Sequence, residues 1–119
     1  MTALCRTLAD TMLQVKDDTG SQVYPTGGTR VFAYPAPHFA VADGKDDYAF
    51  VYLNVRMAKG RSDDIKKKAG EVIIASAKAH FESLFAQRHI GMTLQIDEGM
   101  EVFDSKHSNL HPLFNTSVI

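Results

Sequence analysis

The sequence predicts an α+β fold in a single domain, residues 1–119, and three observations support this. Apolar residues recur at helical spacing in two long segments. Two other segments are rich in β-branched and aromatic residues and alternate apolar with polar positions. Apolar residues make up 45% and charged residues 23% of the chain, which is typical of a globular domain.

The elements follow the order helix, strand, strand, helix, strand and tail. The predicted bounds are helix 3–16, a first strand in two parts (29–34 and 39–42), strand 48–57, helix 62–88, strand 92–97 and a tail, 101–119, of short extended pieces with turns. Residues 17–28 are rich in Asp, Thr, Ser, Gly and Pro and are predicted to form a loop. Pro35 and Pro37 interrupt the first strand, because proline has no N–H to donate to a sheet.

The second half of the chain forms a β-α-β unit. Ser62 is a favourable N-cap for its helix, and Asp63 and Asp64 place negative charge in the first turn, where the helix dipole favours it. Gly91 is predicted to end that helix. A right-handed crossover would make the two flanking strands parallel.

Composition excludes several classes of protein. The net charge of −1 argues against a nucleic-acid or anionic-membrane surface. Cys5 is the single cysteine, so an internal disulfide is impossible. No apolar run reaches the ~18 residues of a membrane span, and no secretory signal is apparent. We therefore expect a cytoplasmic protein.

Histidines give weak evidence for a metal site. His107 and His111 have the i, i+4 spacing that places two imidazoles on one face of a helix. Pro112 follows at once and no third ligand is evident. We predict no metal and no cofactor.

Two arginines are candidate substrate-binding residues. Arg30 opens a predicted strand, and Arg61 lies just before the N-terminus of the long helix. A guanidinium group binds a carboxylate through paired N–H groups, and a helix N-terminus adds positive potential. The residues alone leave open the alternative that each arginine forms a surface salt bridge.

Several short segments follow one another at the spacing of a known protein family. They are Ala42-Asp43-Gly44, Asp47-Tyr48-Ala49-Phe50-Val51, Gly60-Arg61-Ser62, Ala69-Gly70-Glu71, His80-Phe81 and Asn109-Leu110-His111-Pro112-Leu113-Phe114. Together they resemble the 5-carboxymethyl-2-hydroxymuconate isomerase family of the tautomerase superfamily. The resemblance is close over residues 42–114 and looser over residues 3–41.

This resemblance implies a tautomerase-like tandem of β-α-β units, with two helices on one face of a mixed sheet, assembled as a homotrimer. It implies an isomerase that moves a proton between carbons of an unsaturated 2-hydroxy or 2-oxo dicarboxylic acid in the homoprotocatechuate route of aromatic-acid catabolism. Arg61 matches one of the family's two substrate-binding arginines, and Arg30 falls where the other is expected.

The family's base is an N-terminal proline on the first strand, and this sequence is expected to lack both. The prolines at positions 25, 35, 37 and 112 are internal, and an amide nitrogen has no basic lone pair. No catalytic residue is therefore assigned within the chain. Two alternatives stay open: a non-catalytic binding or structural protein that keeps the fold, and a tautomerase-type enzyme with another base, such as Tyr48 or Thr2.

Overall fold

A computed structural model describes residues 1–114 of the chain. Its elements, in chain order, are α1 (Thr2–Leu13), a 3-10 turn (Thr26–Gly28), β1 (Tyr48–Met57), α2 (Asp63–His80), α3 (Glu82–Phe85), β2 (His89–Glu98) and α4 (His111–Phe114). The α+β fold class predicted from the sequence is confirmed.

The β1-α2-β2 unit has the predicted parallel arrangement. The two strands pair in register from Tyr48 opposite His89 to Met57 opposite Glu98. Ser62 caps α2 as expected, because its side chain accepts a hydrogen bond from the Ile65 N–H at 3.2 Å.

Gly91 does not end a helix, so that prediction was wrong. The helical region breaks at Phe81 and ends with α3, and β2 begins at His89, three residues before the predicted start. Gly91 lies inside β2 opposite Phe50, where an added Cβ atom would stand 2.6 Å from the phenyl ring. The glycine is thus a packing site for an aromatic ring of the neighbouring strand.

The core lies between the two long helices and one face of the sheet. Leu4, Leu8 and Met12 of α1 are buried against α2. The contact surface of α2 contains two alanines that are fully buried, Ala69 and Ala77. Such small side chains let the helices approach closely, so that larger residues from α1 and the sheet fill the space around them.

The predicted strands 29–34 and 39–42 are not strands in the structure. Residues 29–47, which we term the arm, contain no element that pairs with the rest of residues 1–114. The described part of the sheet is therefore two-stranded and parallel rather than mixed. Three aromatic side chains of the arm are exposed: Phe32, Tyr34 and Phe39.

The tail also differs from the prediction of extended pieces. Residues 101–110 are irregular and α4 forms one helical turn, while positions 115–119 of the predicted tail lie outside the described residues. Within the described residues, no helix is long and apolar enough to cross a membrane.

Candidate substrate-binding site

Arg61 is held at the start of α2 by a defined backbone turn. Gly60 has a φ of +111°, a conformation that glycine adopts without steric cost, and Arg61 follows it directly before the N-cap Ser62. The guanidinium donates a hydrogen bond from Nη2 to the Val23 carbonyl at 2.9 Å. This bond leaves the other guanidinium N–H groups available to a carboxylate ligand.

The segment that receives Arg61 is a small hairpin packed on the core. Lys16 and Gln22 form an isolated antiparallel bridge, and the Val23 N–H donates to the Val15 carbonyl at 3.0 Å. The Val23 side chain is buried, with 2% exposure. Val23 thus packs into the hydrophobic core through its side chain and binds the Arg61 guanidinium through its carbonyl group.

Asp17 closes this hairpin and faces the same positive charge. Its Oδ1 accepts hydrogen bonds from the Thr19 hydroxyl, the Thr19 N–H and the Ser21 N–H. The hydrogen bond from the Thr19 side chain is the largest cause that lowers the pKa of Asp17, and the charge of Arg61 lowers it further. The carboxylate is therefore ionised at neutral pH and stabilises the hairpin.

Tyr24 was not predicted as a site residue. The residue is 5% exposed, and its Oη is buried with no hydrogen-bond partner among residues 1–114. Burial raises the pKa of Tyr24, and the charge of Arg61 opposes that shift. The phenol is thus protonated and can donate a hydrogen bond near the guanidinium. In the sequence, the only indication of a buried Tyr24 is the apolar Val23-Tyr24-Pro25 segment within a polar loop.

Arg30 follows the 3-10 turn at the start of the arm, not the start of a strand as predicted. Its Nη1 donates to the Gly28 carbonyl at 3.1 Å, and the side chain is exposed. Arg30 and Arg61 are therefore both anchored to one short segment, residues 23–30, through different carbonyl groups.

Tyr48 and Thr2, the alternative bases, occupy separate elements. Tyr48 begins β1, with its ring centroid 6.3 Å from that of His89. Thr2 is the first residue of α1. Among residues 1–114, neither Tyr48 nor Thr2 forms a hydrogen bond with Arg30 or Arg61, which bind carbonyl groups of Gly28 and Val23.

A groove of about 860 Å³ lies between α2 and β2 and does not include either arginine. Its apolar lining includes Ile74, Phe85, Met92, Leu94 and Ile96, and lysines lie along it at positions 66, 67 and 78. Size alone does not assign the site, because Arg30 and Arg61, which can bind a carboxylate through paired N–H groups, lie outside the groove and are bound to carbonyl groups of the segment 23–30.

Comparison with known proteins identifies the family. The family model for 5-carboxymethyl-2-hydroxymuconate isomerase matches residues 1–114. A 5-carboxymethyl-2-hydroxymuconate Delta-isomerase of Escherichia coli is 30% identical over 92 residues, covering 77% of this chain and 73% of the relative.

Solved structures agree with this match. A crystal structure of a 5-carboxymethyl-2-hydroxymuconate delta-isomerase is 53% identical, with a TM-score of 0.90 over 96% of this chain and 82% of that one. The isomerase from Deinococcus radiodurans R1 is 30% identical, with a TM-score of 0.83 over 95% of this chain and 81% of that one. The chain therefore belongs to the 5-carboxymethyl-2-hydroxymuconate isomerase family.

Proposed function

We propose that this protein isomerises 5-carboxymethyl-2-hydroxymuconate or a closely related unsaturated 2-hydroxy or 2-oxo dicarboxylic acid, moving a proton from one carbon to another. The family match over residues 1–114 carries this proposal. The position of Arg61, fixed on the Val23 carbonyl beside the N-terminus of α2, supports it with a group suited to an acid substrate.

The chemistry requires cations that are already in place before the proton moves. Removing a proton next to a carbonyl group creates a dienolate, and preorganised donors stabilise the charge that develops on its oxygen. We assign Arg61 and Arg30 to the substrate carboxylates and to this oxygen. Because the isomerisation is redox-neutral, the proposed reaction needs no oxidant or reductant.

The identity of the base is a separate question for experiment. The family resemblance implies a terminal proline amine in this role, a group whose pKa can approach neutrality when it is desolvated near cations. The intact mass and N-terminal sequence of the protein from its native source would identify the amine. Replacing Tyr48 tests the phenol as a base within the chain, and blocking the α-amine of Thr2, which is free only when Met1 is removed, tests that amine.

The decisive assay is turnover of the unsaturated dicarboxylate, followed by ultraviolet absorbance, with the protein purified from its native source. Arg61→Ala and Arg30→Ala should each lower kcat/KM about 10-fold to 100-fold, which corresponds to one charge-assisted contact. Arg6→Ala is the matched control, because Arg6 is an exposed arginine of α1 paired with Asp10. Its activity should be unchanged.

Two results would argue against this function. Binding of the dicarboxylate without turnover would favour the non-catalytic protein. Full activity of both Arg61→Ala and Arg30→Ala would remove the proposed role of the guanidinium pair.

We also propose that the protein is a homotrimer. The radius of gyration is 16.8 Å, against about 13.5 Å for a compact domain of this length. The arm exposes Phe32 and Tyr34, and the sheet face opposite the helices exposes Phe50 and Tyr52. A trimer would cover these aromatic surfaces, and light scattering should give three times the 13.1 kDa of one chain.

A role in aromatic-acid catabolism and a cytoplasmic location complete the proposal. Both follow from the proposed substrate, which would arise from ring cleavage of an aromatic acid inside the cell. Cell fractionation would test the location. Growth of a deletion strain on homoprotocatechuate would test the role, and normal growth would count against it.

A further inference from the structure

The 3-10 turn before Arg30 is covered by the tail of the chain. The helical turn α4 packs on Thr26–Gly28. A Cβ atom added to Gly27 would lie 2.8 Å from the Cα of His111 and 3.1 Å from its Nδ1. A Cβ atom added to Gly28 would lie 3.4 Å from the His111 Cε1. The imidazole therefore lies against the backbone of both glycines.

The same turn holds the Arg30 side chain. The Gly28 carbonyl accepts the hydrogen bond from Arg30 Nη1, so the guanidinium position depends on the orientation of this peptide group. The turn also has internal bonds, from the Gly28 N–H to the Pro25 carbonyl at 3.1 Å and from the Thr29 hydroxyl to the same carbonyl at 2.8 Å. Two adjacent glycines need such external restraint, since glycine has the greatest backbone freedom.

We propose that His111 is a positioning residue for Arg30. Its imidazole packs on the Gly27–Gly28 backbone and fixes the Gly28 carbonyl, which in turn fixes the guanidinium for a substrate carboxylate. The inference rests on the proposed substrate-binding role of Arg30. It assigns to the tail a function in the site, in place of the metal-ligand role considered from the spacing of His107 and His111.

Kinetics of His111→Ala test the proposal. Loss of the ring should raise KM about threefold to tenfold with kcat within about twofold, because binding of the carboxylate weakens while the chemical step does not change. His111→Phe should restore a near-normal KM, since a flat ring can pack on the same backbone. Leu113→Ala is the matched control, because Leu113 belongs to the same helical turn and is 65% exposed.

A second measurement does not depend on turnover. The ¹⁵N-¹H resonances of Arg30 Nε and of the Gly28 amide should shift in His111→Ala and stay in place in Leu113→Ala, with the circular dichroism of both variants unchanged. Unchanged resonances and an unchanged KM in His111→Ala would overturn the proposal. An inactive native protein would instead refute the proposed function, and the resonance shift would still decide the role of His111.

Discussion

Replacing Tyr24 by phenylalanine should stabilise the protein. The Tyr24 Oη is buried without a partner among residues 1–114, and an unsatisfied buried polar group costs about 1–3 kcal/mol. Tyr24 is only 5% exposed. The phenyl ring of Tyr24→Phe occupies the same position, so the packing of the ring against the core is kept. The small void left by the missing oxygen reduces this gain by a few tenths of a kcal/mol. The expected net gain is therefore about 1–2 kcal/mol.

Urea denaturation at one fixed protein concentration measures this gain as a higher midpoint with an unchanged slope. Tyr34→Phe is the matched control, because Tyr34 is 84% exposed and its change should stay within about 0.5 kcal/mol. A loss of more than about 1 kcal/mol in Tyr24→Phe would refute the reasoning. It would mean that the hydroxyl has a partner in the native assembly, such as a bound water or a neighbouring subunit.

Alkaline pH provides an independent check on the same residue. Burial raises the pKa of Tyr24 in the folded state above its usual 10.0. The unfolded phenol therefore loses its proton first, and the wild-type protein loses stability as pH rises past that value. Phenylalanine has no proton to lose, so the advantage of Tyr24→Phe should grow above pH 10.0. A constant difference would contradict the assignment of a buried, desolvated phenol.

Three further substitutions test other parts of the fold. Ile73→Ala should cost about 2–5 kcal/mol in urea denaturation, because Ile73 is 2% exposed; a cost below about 1 kcal/mol would count against its core position. Ser62→Ala should cost about 1 kcal/mol by removing the cap on the Ile65 N–H, and an unchanged melting temperature would disprove that role. The pKa of Asp17 lies below its usual 3.8, so its stabilisation is present above that pH and is lost as pH falls through the folded pKa. Asp17→Asn should lose this acid dependence, and an identical acid titration would oppose the hairpin role.

The β1-α2-β2 unit was predictable because local signals and tertiary structure agree there. Alternating apolar residues in Tyr48–Met57, the Ser62 cap and the helical spacing of α2 each favour the element that forms. Even the parallel pairing follows, because a right-handed crossover leaves one arrangement for the two strands. Short-range chemistry was sufficient for the order and pairing of these elements, but not for the end of the helix or the start of β2.

The arm shows where local signals fail. Its β-branched and aromatic residues favour a strand, but a strand needs a partner for its N–H and C=O groups, and residues 29–47 find none within the described part of the chain. The prediction for Gly91 was wrong because of a contact between the two strands. A glycine after a helical segment indicates a helix stop, whereas in the structure Gly91 lies in β2 against the Phe50 ring of the other strand.

The sequence predicted Arg30 and Arg61 as substrate-binding residues, and that role stays a prediction. The resemblance and the position before a helix pointed to Arg61, and the structure places it there. The sequence did not indicate that Tyr24 lies near Arg61 or that His111 lies near Arg30, because these contacts join distant segments of the chain. No spacing in the sequence indicates that a tail histidine lies on the two glycines before Arg30.

The proposed site and the core are mechanically linked through residues 23–30. Val23 is 2% exposed, and its carbonyl binds Arg61, so the packing of one side chain determines where a guanidinium points. At the other end of the segment, the Gly28 carbonyl binds Arg30 under the cover of His111. Rigid packing limits the guanidinium at the Val23 end, whereas the half-buried glycine turn needs a separate restraint. The two arginines should therefore differ in sensitivity: core substitutions would disturb Arg61 first, and changes in the tail would disturb Arg30 first.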